Sequence, residues 1–152
     1  MKTMLKLGGV LVLLLVVYMA IRLVGPSALE RNTSAFLSAV QAEEFEKAAK
    51  LYGGISDPAN AGRWAGEMRK LHEEQGFRLL SFDGVKAEYD DGCFCTGHAR
   101  LTFEVAGEPL EVEAILTFGE SKPRQVCAFS HPEKGTLPEL EAWDRLACHS
   151  SF

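Results

Sequence analysis

Two stretches of alternating residues, hinged at Gly107-Glu108, constrain this chain more than any other feature. Between Cys93 and Val105, one face carries Cys93, Cys95, Ala99, Leu101, Phe103 and Val105, and the other carries Thr96, His98, Arg100, Thr102 and Glu104. Leu110, Val112, Ala114, Leu116 and Phe118 repeat the apolar face after the hinge. A period of two is strand geometry, and one apolar face per strand makes a sheet with one side buried and the other in water. Phe77 to Tyr89 predicts a preceding strand, interrupted at Asp83-Gly84, with Asp90-Asp91-Gly92 as the turn. Gly119 to Pro123 predicts another turn, and Arg124 to Ser130 a last strand. Strands joined by such short turns make a four-stranded antiparallel meander.

A half-apolar sheet needs a cover, and the remaining periodicity is helical. A helix is predicted to start near Asn32-Thr33-Ser34, all good capping residues, and to run unbroken to Gly53-Gly54. Its apolar face is Phe36, Leu37, Val40, Phe45, Ala48, Ala49 and Tyr52; Glu43, Glu46, Lys47 and Lys50 face away. Asp57-Pro58 predicts the next helix, with a stripe of Ala61, Trp64, Met68 and Leu71 and a stop at Gly76. Thr136-Leu137-Pro138-Glu139 reads as a capping box that opens a short last helix, which buries Leu140, Trp143 and Leu146. The fold class is α+β: amphipathic helices packed on a curved four-stranded antiparallel sheet.

Residues 1–26 stand apart from this domain, which occupies 27–152. Leu7 to Ile21 is an uncharged apolar run between Lys6 and Arg22. Extended from Met4 to Val24, it matches a bilayer core of ~30 Å at ~1.5 Å per residue. An uncleaved single-pass anchor is favoured over a cleaved signal peptide, because Arg22 closes the run and no clean small-x-small site follows. The chain has a formal net charge of -5. Lys2, Lys6 and Arg22 are the charged residues before Ser27, so the domain is more acidic than the whole. Such a domain repels nucleic acid and anionic headgroups, which points to proteins or small molecules as partners. Lys2 and Lys6 before the span, together with four cysteines in the domain, place the N-terminus in the cytoplasm and the domain outside it.

From Thr33 to Ser130, including SAFLSAVQAEEFEKAAKLYGG, the order of elements resembles the NTF2-like (cystatin-like) superfamily, in its small bacterial membrane-anchored form. The resemblance implies a curved sheet wrapped on a long helix and a periplasmic domain behind one inner-membrane helix. The helix after Thr136 and the cysteines depart from that pattern. Enzymes of the superfamily use acids, His and Tyr in the sheet cavity, which makes Tyr52, Asp83, Tyr89, His98 and Glu113 the candidates here. Alternation puts His98, Glu104, Glu111 and Glu113 on the polar face instead, where solvation is the simpler account, so no catalytic residue is assigned.

Cys93, Cys95, Cys127 and Cys148 are disulfide candidates, and a Cys127–Cys148 bridge would hold down the last helix. Zinc, with His131 and His149 as further ligands, is the competing reading, but the spacing fits no common module, and no metal or cofactor is assigned. The polar sheet face offers Arg100, Glu104, Glu111 and Glu113 for docking. The function expected is a non-catalytic scaffold or accessory subunit among integral membrane proteins of a larger complex. The alternatives are a cavity isomerase, dehydratase or hydrolase, and a binding module for a small apolar ligand.

Overall fold

The computed structural model describes residues 27–90, 93–119, 125–130 and 140–147, with side chains except at positions 89, 90, 93 and 94. The apolar segment 1–26, the turns expected at 90–92 and 119–123, and the Thr136–Glu139 capping box lie wholly or partly outside the described residues. Among the described residues, no helix is long and apolar enough to cross a membrane.

The architecture is α+β. Helices α1 (Ala28–Gln41), α2 (Phe45–Leu51) and α3 (Ala61–Gln75) precede strands β1 (Arg78–Asp90), β2 (Cys93–Val105), β3 (Glu108–Phe118) and β4 (Val126–Ser130). Helix α4 (Glu141–Ala147) follows. The sheet is antiparallel in the order β1-β2-β3-β4, the meander read from the alternation. Ala99, Leu101 and Phe103 of β2, Val112, Ala114, Leu116 and Phe118 of β3, and Val126 and Phe129 of β4 are buried.

The start of α1 is earlier than expected. Ser27 is the N-cap: its Oγ accepts from the Glu30 N–H at 3.1 Å, and Glu30 Oε2 accepts from the Ser27 N–H at 2.7 Å. This reciprocal pair satisfies two orphan donors, so it outcompetes Asn32, Thr33 and Ser34, which lie inside the helix. Thr33 is fully buried there, and its Oγ1 has no hydrogen-bond partner among the described residues.

The single helix expected to Gly53 is two helices. Glu43 takes a left-handed conformation, φ 60°. The Glu43 N–H donates to Val40 O and the Glu44 N–H to Ala39 O, the pattern that closes a helix end. The break shifts the apolar stripe by one position, so that Val40 and Phe45 both reach the core. Asp57 caps a 3-10 turn, Pro58–Asn60, that feeds α3, rather than capping α3 itself. Arg69 of α3 lies 2.5 Å from Glu46 of α2, and this hydrogen bond holds the Glu46 carboxyl below the usual carboxylate range. Gly76 ends α3 at φ 63°, as a left-handed cap.

The helical layer touches both sheet edges. Glu30 Oε1 accepts from the Ala87 N–H at 3.3 Å, and Gln41 Nε2 donates to Leu80 O at 2.6 Å, so α1 is pinned along β1 at both ends. On the other edge, the Gly53 N–H donates to Val126 O at 2.7 Å. The interruption expected at Asp83-Gly84 is a register shift between Asp83 and Lys86. Nearby, Gly97 faces Ala87 so closely that a Cβ would stand 2.2 Å from Lys86 O. Only glycine fits there.

Candidate functional site

Two surfaces hold the residues singled out from the sequence: the interior between sheet and helices, and the open outer face of the sheet. An NTF2-like enzyme would carry its chemistry in the first. Here that space holds stacked rings. Phe36 stacks on Tyr52 at 5.3 Å and on Phe129 at 5.5 Å; Phe77 stacks on Trp143 at 5.8 Å; Phe103 packs against Phe77 at 4.9 Å. Beneath Leu101, Phe103, Val112 and Trp143 a cavity of about 10 Å³ remains, about the room one water needs.

Tyr52 is fully buried among these rings. Its phenol oxygen lies 2.9 Å from Cys127 O and 2.8 Å from Ala147 O, so its one proton is committed to backbone carbonyls. Trp64 Nε1 donates to Leu146 O at 3.0 Å. These contacts, from α2's end and α3 to the last turn of α4, fasten the final helix. The Cys127–Cys148 bridge expected to do so is not formed, because Cys127 is a free thiol. Its Sγ lies 3.2 Å from Thr117 O, and burial raises its pKa above the ordinary thiol value. Cys95 is half-buried; Cys148 and the Cys93 side chain lie outside the described residues. Among the described residues no group of three ligating side chains is placed to hold a metal.

The outer face gathers the charged candidates. Arg100 is the hub: Nη1 lies 3.4 Å from Asp83 Oδ1, and Nε lies 3.2 Å from Glu111 Oε1. Glu113 is its direct cross-strand partner on β3. Glu104 stands at the far end of the same face, opposite Pro109. His98 Nδ1 is 2.9 Å from Glu88 Oε1. All of these ion-paired side chains are half or more exposed, so each pair contributes ~0–1 kcal/mol to stability. Their arrangement is a sign-alternating ladder in water. The structure thus brings Asp83, His98 and Glu113 to the opposite side of the sheet from Tyr52; the Tyr89 side chain lies outside the described residues.

Sequence reasoning missed His72, while Glu43 is exposed as expected. His72 Nε2 lies 3.3 Å from Glu43 Oε2, and the His72 ring lies 6.2 Å from that of Phe45. The missed signal was the spacing from Val40 to Phe45, which does not fit a continuous helical stripe and marks the corner at Glu43.

The chain matches no family model, no curated protein and no solved structure.

Proposed function

We propose that this is a non-catalytic docking subunit of a membrane protein complex, carried by an NTF2-like domain. The observation that carries the reading is the separation of the titratable candidates: Tyr52 is tied to carbonyls inside a ring-filled core, while Asp83, His98 and Glu113 stand in water on the outer face. A cavity enzyme needs at least two such groups convergent in one pocket. In this reading the segment 1–26 anchors the chain in a bacterial inner membrane, the domain is periplasmic, and the partners are integral membrane proteins of the complex. The Arg100 ladder, with Glu104, Glu111 and Glu113, forms the docking face. In an oxidising compartment Cys95 closes a structural disulfide, with Cys93 and Cys148 as the candidate partners.

The test is purification of the tagged full chain from its native membrane in mild detergent, with Arg100→Glu alongside. A defined set of membrane proteins should co-purify with the native chain and be lost with the variant. A monodisperse monomer without partners, or an unchanged set with Arg100→Glu, overturns the reading.

A further inference from the structure

Helix α3 turns Trp64, Met68 and Leu71 to the core and a stripe of charge away from it. Arg63, Glu67, Lys70 and Glu74 follow at spacings of four, three and four, which stacks them along one side of the helix. Arg63, Lys70 and Glu74 are exposed, and the Glu67 side chain is 45% accessible. All four border a groove of about 330 Å³ between α3 and α4, whose other wall carries Ala142 and Arg145. The Leu71 and Leu146 floor is already buried, so whatever lies along the groove is held by charge.

The signs along the stripe run plus, minus, plus, minus. A second copy of the stripe, laid antiparallel, sets Arg63 opposite Glu74 and Glu67 opposite Lys70. A two-fold axis between positions 68 and 69 makes each contact twice. Laid parallel in register, the stripe meets like charge at every position. The sequence therefore selects one orientation of one partner, as the charges that flank a helix pair do. Lys70 already reaches Glu67 at 3.0 Å within its own helix. Exposed as both are, that pair is worth little alone and gains when joined into a network.

Two further observations favour this partner. The chain has a net charge of -5 and its domain is more acidic still, so two copies repel through most of their surfaces. The stripe itself is neutral. Beside it, Gly62 and Gly66 sit one turn apart, and a Cβ on either would meet nothing within 4 Å. Glycine weakens a helix interior, and no contact among the described residues requires it there. Its effect is to lower the helix surface next to Arg63 and Lys70, where a second helix has to approach.

We infer that α3 pairs antiparallel with α3 of a second copy, through Arg63–Glu74 and Glu67–Lys70 contacts. The stripe belongs to the helical layer, on the other side of the sheet from Arg100. The pairing therefore neither uses the proposed docking face nor depends on the anchor.

The experiment is sedimentation equilibrium of the full chain in mild detergent, in three forms. The first is native. The second carries Glu67→Lys and Glu74→Lys, which make the stripe wholly positive. The third is fully reversed: Arg63→Glu, Glu67→Lys, Lys70→Glu and Glu74→Lys. The native chain should dimerise with a Kd of about 1 mM or tighter. The all-positive form should associate ~10-fold more weakly or worse, and the fully reversed form within ~3-fold of the native chain. Dye-labelled native chain should sediment as a dimer in excess native chain, whereas dye-labelled reversed chain should stay monomeric there, because mixed pairs set like charges opposite. As a measurement free of variants, carbodiimide coupling of isotopically light and heavy native chains should join Glu67 of one to Lys70 of the other. The proposal is overturned by a native chain that stays monomeric up to about 1 mM, or by an all-positive form that dimerises as well as the native one. It is equally overturned by mixed pairs as stable as native pairs, or by Glu67–Lys70 links found within single chains alone.

Discussion

The phenol of Tyr52 lies 2.8 Å from the carbonyl oxygen of Ala147, in the last turn of α4. Both residues are fully buried. A helix leaves its last carbonyls unpaired, and a buried carbonyl must find a donor. Tyr52 supplies one to Ala147, and Trp64 supplies another to Leu146. Tyr52→Phe keeps the ring stacking on Phe36 and deletes only the donor. It should lower stability by about 1–3 kcal/mol, the cost of an orphaned buried acceptor. Urea unfolding curves with an unchanged slope would show this; a loss below about 0.5 kcal/mol would mean that water replaces the phenol.

Arg100 makes the opposite case. Its contacts to Asp83 and Glu111 are solvated, so Arg100→Ala should change stability by no more than about 1 kcal/mol. A larger loss in thermal unfolding would show that the ladder holds the sheet together, and would weaken its assignment to docking.

The β2–β3 hairpin turns on Ala106 and Gly107, both at positive φ, 53° and 88°. Gly107 accepts this readily; Ala106 does not, since its Cβ crowds the backbone at ~1–2 kcal/mol. Ala106→Asn, a residue suited to this turn, should stabilise the domain by about 1 kcal/mol, read as a higher denaturation midpoint. No gain would mean that the turn relaxes at little cost.

Cys127 should react slowly with a thiol reagent at pH 8 in the folded chain and rapidly once urea unfolds it. Burial raises its pKa, so the fold favours the neutral thiol. The stability that follows is fully present below the unfolded thiol's pKa and is lost as pH rises through the raised folded value. Cys127→Ala should therefore flatten the alkaline decline of stability. An equally steep decline in the variant would assign it to other groups.

The sheet was legible because alternation is a local signal that burial enforces residue by residue, from Ala99 to Phe103 and from Val112 to Phe118. The helix break at Glu43 was not, because a glutamate at positive φ carries no compositional mark, and the one sign of it, the Val40-to-Phe45 spacing, is easily absorbed by a broad helical face. The Ser27–Glu30 box was overshadowed by Asn32-Thr33-Ser34, three capping residues in a row. The outer-face candidates followed from strand parity alone. The fastening of α4 did not, because its acceptors are backbone carbonyls, which every residue possesses.

The fastening of α4 also has a consequence for the order of events in the cell. Tyr52 and Ala147 are separated by 95 positions. At ~5–20 residues per second, a ribosome takes roughly 5–20 seconds to travel from one to the other. For most of that interval the phenol has neither of its carbonyls, Cys127 O being made before Ala147 O, the indole of Trp64 lacks Leu146 O, and the ring cluster lacks Trp143. The nascent domain therefore waits open, its aromatic core wet, until its last helix arrives. Until that helix arrives, the exposed rings are the part of the nascent chain most prone to aggregate.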